Sequence, residues 1–557
     1  MKRAILACVV IAASALLPIV VTAEPTITIY TDAQTYQYGD TIEVSLAALN
    51  LGSGVSVDLY VGLLTPDGGL YTLSPYGQSG WSGNLEAWIP DIYVPPGFAM
   101  DRTPFWWFDV PCSMPPIGGA GHYDFAAVLT RAGSFDEWVC NASFAPFAVR
   151  LWPASHYYVD GETGDDSNDG SESSPWKTIT HALASALNTP ATIHVAAGTY
   201  SASTNGERFP LRMKSWVSLT GDGPNTTTLD AEDSAYHVIF CYNANELTIE
   251  DFTITGGNAN GDSSAHSSGG GIYCYESLPT IVSNTITANT AYSGGGIYCW
   301  DSSPIITNNA ITDNTSEYYC GGGIFCYYYS SPAIENNAIE ANAAVAYGGG
   351  IYCDCYSSPT VRNNTITDNT AEACGGGIYC YYTSPMIQNN AIEDNTAGYG
   401  AGVFWYGGSP TVRNNAILYN SAGGCGGGIY CYYSSPTIEN NTILDNTANT
   451  NDGGGIYCYK SSPTIINCIM WGNSGDLYHC YATYCCIEEN DPGEGNIHYD
   501  PMFVEGPFGD HYLHPDSLCI DAGSQSTEEA GLSDRTTQAD STPDTGTVDM
   551  GFHYPIP

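Results

Sequence analysis

Gly426–Asn446 reads GGGIYCYYSSPTIENNTILDN, and Gly375–Asn395 repeats it as GGGIYCYYTSPMIQNNAIEDN. The leading Ile returns at 272, 297, 324, 351, 378, 429 and 456, with Val403 filling the one gap, in steps of 25 to 27 residues. Self-similarity at that period marks stacked units, none of which holds enough apolar residues to bury a core alone. Each copy has three short β-type runs, such as Ile429–Tyr432, Thr437–Glu439 and Thr442–Leu444, set apart by GGG, SSP and NN. Gly, Pro and Asn interrupt any helical reading. Stacked in register, the copies predict an all-β, right-handed parallel β-helix of three sheets, the hand that parallel crossovers prefer. With coils about 4.8 Å apart, eight copies make a rod of about 38 Å.

Period-2 alternation points three Ile columns inward: Ile272 to Ile456, Ile281 to Ile465, and Ile286 through Ile443 to Ile469. Two residues after each leading Ile stands Cys274, Cys299, Cys326, Cys353, Cys380, Cys431 or Cys458, with Trp405 once. These thiols read as core filling, with disulfides between neighbouring coils and metal binding as alternatives; the spacing shows no CxxC cluster or His partner. Asn284, Asn309, Asn337, Asn364, Asn390, Asn415 and Asn441 share one turn, where Asn tolerates left-handed backbone and bonds to its own copy above and below. Such an asparagine ladder resembles those of the pectin lyase-like superfamily. The GGGI and NNTI phrases are also similar to the GGAI repeats of polymorphic membrane adhesins, without their C-terminal barrel.

The chain in order divides into five parts. Residues 1–23 carry Lys2-Arg3, an apolar stretch and Val-Thr-Ala, a signal peptide that predicts export to the cell surface or beyond. The mature chain offers no transmembrane segment. Residues 24–150 alternate as a small antiparallel β-sandwich, and TYQYGDTIEVSLAALN with VDLYVGLLTPDG resembles immunoglobulin-like modules; Cys112 and Cys140 are candidates for a disulfide. Residues 151–237, with YYVDGETGDDSNDGSESSPWKTITHALASA, resemble the entry module of secreted bacterial β-helix proteins, with a capping helix over 176–186. Residues 238–477 are the regular helix. Residues 478–557, with Cys480, Cys485, Cys486 and Cys519 as candidates for one or two disulfides, resemble a closing segment.

Net charge is −45, which argues against nucleic acid as a partner. No cofactor is expected beyond a structural Ca²⁺. Its candidate ligands are Asp160, Asp165, Asp166, Asn168 and Asp169, oxygen-rich but without EF-hand spacing; the alternative is a set of Asx turns.

The main functional signal lies on the outer face of the first sheet. Flanking the inward Cys are Tyr273, Tyr298, Phe325, Tyr352, Tyr379, Phe404, Tyr430 and Tyr457. Beside them run Tyr275, Trp300, Tyr327, Tyr381, Tyr406, Tyr432 and Tyr459, with Asp354 the single break. An exposed aromatic stripe of that extent suits stacking on sugar faces; the alternative is rings that only stabilise the sheet, under a covering loop. The reading is an exported, non-catalytic protein binding polysaccharide, a cell-surface glycan or another surface. A structural envelope or adhesin role, and a polysaccharide-degrading enzyme, are the alternatives. A hydrolase would draw on Asp313, Asp368, Asp394, Asp445, Glu340 and Glu393 at the third sheet's rim. A lyase would draw on Arg362 and Arg413, two coils apart with Gln388 between them, or on Lys460.

Overall fold

The computed structural model describes most of the strands of residues 25–150, and residues 155–556 apart from 187–189, 262–266 and 451. The signal-peptide reading and Cys140 lie outside the described residues. The chain divides into two units at Ala154/Ser155.

The first unit holds a three-stranded antiparallel sheet of Thr26–Thr31, Thr41–Asn50 and Phe98–Asp109. A second sheet is built around Val55–Leu64 and Gly121–Arg131, again antiparallel. Ile27 and Ile29 alternate as buried residues on one sheet, and Val57, Leu59, Val61 and Leu63 are buried on the other. Both sheets line an apolar cavity of about 270 Å³, so they face one another as a sandwich does.

The second unit is a parallel solenoid. Strand Ile429–Tyr432 pairs in register with Ile456–Tyr459, so that Ile lies on Ile, Tyr on Tyr and Cys on Cys, and the same register holds back to Ile239–Tyr242, with Val403 and Trp405 in the Ile and Cys columns once. The first sheet holds 11 strands, the second, of the Thr437–Glu439 type, 13, and the third 19. The third is larger because each regular coil adds a further short strand, of two residues in Thr290–Ala291 and Thr447–Ala448 and of five in Thr370–Cys374, after the expected run. Leading Ile, second-sheet Ile or Val, and ladder Cys are buried to 2 % exposure or less from Ile272 to Ile465. The thiols are free and inward, as alternation predicts. One column needs correction: Met470, not Ile469, pairs with Ile443 and continues the third Ile column. Ile469 turns outward beneath the C-terminal segment, beside Leu513, Cys519 and Met550.

Three hydrogen-bond ladders tie the turns together. In the asparagine ladder, Asn415 Nδ2 donates to Ile387 O (3.0 Å), Arg413 O (3.1 Å) and Asn441 Oδ1 (2.9 Å), while its Oδ1 accepts from Asn390 N and Nδ2, both at 2.9 Å. The left-handed residue at this turn is the preceding one, Asn389, Asn414 or Asn440, so the expectation that the ladder Asn itself takes that conformation is corrected. A second ladder, Asn289, Asn314, Asn342, Asn369, Asn395, Asn420 and Asn446, follows five residues behind the first, with the same Nδ2 to Oδ1 links of about 3.0 Å. A serine column (Ser277, Ser302, Ser330, Ser357) closes the third turn through backbone N to Oγ bonds.

At the entry, the helix is Ile179–Ser185, shorter than expected, and it buries Ile179, Ala182 and Leu183 over the first coil. At the far end, Cys480, Cys485, Cys486 and Cys519 are free thiols, so the expected disulfides there are absent among the described residues. Asp476, 1 % exposed, closes the last coil by accepting from Asn473 Nδ2 (2.8 Å) and Glu488 N (3.0 Å). Burial dominates and pushes its pKa up to about 6. A folded-state pKa above the unfolded one means the folded form binds the extra proton. The stability it contributes is therefore full below about pH 4 and lost as pH rises through about 6. We expect the midpoint of urea unfolding to fall across that window by the equivalent of about 3 kcal/mol, and Asp476→Asn to flatten the fall.

Candidate functional site

The aromatic stripe exists, and only half of it meets solvent. Tyr273, Tyr298, Phe325, Tyr352, Tyr379, Phe404 and Tyr430 are 2 to 9 % exposed, which corrects the expectation of an open inner column. Their cover is the segment that leads into the next GGG. Tyr347 lies 4.9 Å from Tyr379 and Tyr399 lies 6.1 Å from Tyr430, ring centre to ring centre, and Cys320 is buried in the same cluster. The first glycine makes this possible. Gly375 has φ +68, and a Cβ on it would stand 2.7 Å from that of Tyr379, so the chain crosses directly over the ring column.

Within the covered column the rings stack from Tyr352 onward: Tyr352–Tyr379 at 5.1 Å and 5°, Tyr379–Phe404 at 5.1 Å and 6°, Tyr457–Tyr478 at 4.9 Å and 7°. Before Tyr352 they meet edge to face, as at Phe325–Tyr352 (4.6 Å, 90°). Burial pushes the pKa values of Tyr352, Tyr379 and Tyr430 well up, so these phenols remain neutral.

The outer column, Tyr275, Trp300, Tyr327, Tyr381, Tyr406, Tyr432 and Tyr459, is half-buried to exposed, and Tyr432 and Tyr459 stack at 5.1 Å and 9°. A third column lies beside it that alternation does not reveal: Tyr328, Tyr382 and Tyr433, each with positive φ and 45 to 54 % exposed. They stand edge-on to the outer rings, Tyr381–Tyr382 and Tyr432–Tyr433 both at 4.8 Å. Lys460 takes the same position in the last coil, its Nζ 5.0 Å from the Tyr433 ring centre and 2.7 Å from its hydroxyl.

Where Asp354 interrupts the outer column, the stripe opens into a groove of about 560 Å³, bounded by Tyr381, Tyr406 and Tyr432 on one side and by Tyr319, Tyr347 and Tyr399 on the other. Asp354 is 8 % exposed and lines it. Its Oδ2 accepts from Tyr352 Oη (3.2 Å) and its Oδ1 from Cys355 N (2.6 Å). A buried acceptor among ring faces is what orients a hydroxylated ligand. The sequence marked Asp354 as a break only; a lone acid replacing a ring in a strict column was the available signal.

The other candidates fall elsewhere. Asp160, Asp165 and Asp169 each bond back onto their own loop, through Glu162 N, Ser167 N and Ser171 N. Asp166 accepts from Lys177 N and Thr178 N at the entry to the capping helix, and Asn168 Nδ2 donates to Pro175 O. They are spread along a turn-rich loop, and no group of three His, Cys, Asp or Glu suited to a metal occurs among the described residues. Asp313, Asp368, Asp394 and Asp445 occupy left-handed turn positions (φ 54, 55, 52 and 51). Arg362 pairs with Glu335 at 2.8 Å and Arg413 lies 3.7 Å from Glu439, so both are ion-paired on the second sheet.

Residues 370–491 match the family described as "Right handed beta helix region", and residues 162–385 match "Protein of unknown function (DUF1565)". The chain is a right-handed β-helix protein. No curated protein matches its sequence. Among solved structures, this β-helix is similar to the Azotobacter vinelandii mannuronan C-5 epimerase AlgE6 A-module, at 12% identity over 54% of this chain and 91% of that one, TM-score 0.31. It is similar also to the GH136 lacto-N-biosidase from Eubacterium ramulus (11%, covering 62% and 67%, TM-score 0.28). A third is the Yersinia enterocolitica family 28 exopolygalacturonase (12%, covering 85% and 97%, TM-score 0.28). At these TM-scores the likeness carries no argument about chemistry. No helix among the described residues of the β-helix protein is long and apolar enough to cross a membrane.

Proposed function

We propose that this β-helix protein is exported and binds a polysaccharide or cell-surface glycan along the outer ring columns, with the Asp354 groove as the deepest subsite. The observation that carries this is the groove itself: tyrosine faces repeated at coil spacing around one buried carboxylate acceptor. Rings repeating at coil spacing meet successive faces of an extended polymer, and each stacked face adds affinity without a charge on the ligand. The overall charge of −45 favours neutral over polyanionic glycans.

The test is affinity electrophoresis and a glycan array with the full chain. Tyr381→Ala/Tyr406→Ala/Tyr432→Ala is expected to weaken glycan binding at least 10-fold while leaving the melting temperature within a few degrees, because these rings are only half-buried. Asp354→Asn should weaken it less. Equal retention of wild type and the triple variant on every glycan that binds would sink the proposal.

A further inference from the structure

A second cleft, of about 780 Å³, lies on the third sheet, where the C-terminal segment folds back over it. That segment is firmly held. Asn414 exchanges two hydrogen bonds with the backbone of His553, Nδ2 to O at 2.9 Å and N to Oδ1 at 2.7 Å. Asn440 Nδ2 donates to Asp549 O (3.2 Å), and Asn467 Oδ1 accepts from Ser524 N (2.9 Å). The buried His553 ring is fixed in turn by Asp544 Oδ2 at 2.8 Å and Gly551 O at 3.0 Å. The cleft wall is thus part of the fold.

The cleft owes its depth to small floor residues, Ala391 and Ala416, where the next coils carry Thr442 and Ile469 beneath the returning segment. From the floor rises Glu393. Among the described residues neither a hydrogen-bond donor nor a cation meets its carboxyl, and burial, helped by neighbouring Asp394, pushes its pKa up. Asp510 supplies a second carboxylate at the rim, from the Gly509–Leu513 strand. Phe508 and Tyr419, 52 % and 43 % exposed, add ring faces. His511, 3.3 Å from the Tyr419 hydroxyl, has its pKa lowered by burial and brings no charge at neutral pH. The cation in the lining is Arg535, which donates to His553 O (3.2 Å) and lies beside Asp534. At the open edge stand the amides of Asn336, Asn363 and Asn389.

An unpaired carboxyl in a half-dry cleft lacks a cation, ring faces attract one, and side-chain amides suit vicinal hydroxyls. We infer that this cleft binds an amino sugar, its protonated amine paired with the Glu393 carboxylate and its hydroxyls on the asparagine amides. An N-acetylated sugar of the same shape has no charge to offer Glu393. The site is on a different sheet from the aromatic stripe and does not depend on the reading of that stripe.

The test is isothermal titration of the full chain with the fully de-N-acetylated glucosamine trimer, its N-acetylated counterpart, and cadaverine. The free amine trimer is expected to bind, with the N-acetylated trimer and cadaverine each at least 10-fold weaker. Glu393→Gln should weaken the amine trimer at least 10-fold, and Tyr481→Ala, at an exposed ring outside both grooves, should leave it unchanged. Pairing should also ionise Glu393, among Asp368, Asp394, Asp510, His511, Tyr419, Tyr554 and Arg535. Wild type would then release a proton on binding wherever free Glu393 is still protonated, read from buffers of different ionisation heat, and Glu393→Gln would not. No binding of the amine trimer, equal binding of the N-acetylated form, or undiminished binding by Glu393→Gln overturns the proposal. Cadaverine binding as tightly as the trimer overturns the sugar.

Discussion

Replacing Asn415 by alanine is expected to destabilise the rod by about 5 kcal/mol, at about 1 kcal/mol for each hydrogen bond lost. Its side chain, 0 % exposed, makes five such bonds in three coils, and no water reaches the groups left behind. Those groups include the Ile387 carbonyl and the Asn390 amide, so one substitution breaks the ladder on both sides. Because each coil contacts chiefly its neighbours, the loss should be local. Hydrogen exchange should accelerate in residues 387–446 and stay slow near Ile272. Asn363→Ala is the control: this residue is exposed, with φ 57, and should cost only about 1 kcal/mol for the left-handed conformation. Equal costs at the two sites would mean that the ladder bonds contribute little.

The glycine triplet gives the second large effect, and its three positions are not equivalent. Gly375→Ala would set a Cβ 2.7 Å from both Ile378 O and the Tyr379 Cβ, on a backbone at φ +68. Gly377→Ala would set one 2.6 Å from Gly402 O. In both cases backbone must move, since the obstructing atoms are carbonyls or a packed Cβ. We expect a loss of about 3 kcal/mol or more for each, in the range of overpacked cores. Gly376→Ala would also set a Cβ 2.6 Å from Thr396 O, but it should be milder, because the next coil already accommodates Ala401 at that position, 0 % exposed. Urea unfolding of the three alanine variants gives the ranking directly, with the middle variant predicted nearest to wild type.

The contrast between these positions shows what the sequence made legible. Stacking, register and the inward Ile and Cys columns followed from period and alternation, because a parallel in-register solenoid leaves a repeat no other way to bury its apolar residues. The second asparagine ladder was equally legible, five residues behind the first from Asn284/Asn289 to Asn441/Asn446, but the intervening variable position (Ala, Asp, Tyr) disguised it as surface. A cover over the inner rings was legible only as an alternative, and the residues that form it were not. Alternation states on which side Tyr379 leaves its strand; it says nothing of Tyr347, 32 residues earlier, arriving above it. Ile469 misled because it carries the residue type of its column one place early: NCIMWGN aligns with NNTILDN, which sets Ile469 on Thr442 and Met470 on Ile443. The cleft on the third sheet depends on where residues 508–555 return, which no periodicity encodes.

The central claim is that each GGGI copy is one closed winding, with thiols inside and a covered ring column outside. The most direct measurement is iodoacetamide labelling of the native chain, read by mass spectrometry. Cys274, Cys299, Cys326, Cys353, Cys380, Cys431 and Cys458, at most 1 % exposed, should stay unlabelled for hours, while the partly exposed Cys355 and Cys425 react, and all should react in denaturant. Native labelling of the seven ladder thiols at the rate of Cys355 would contradict the winding itself.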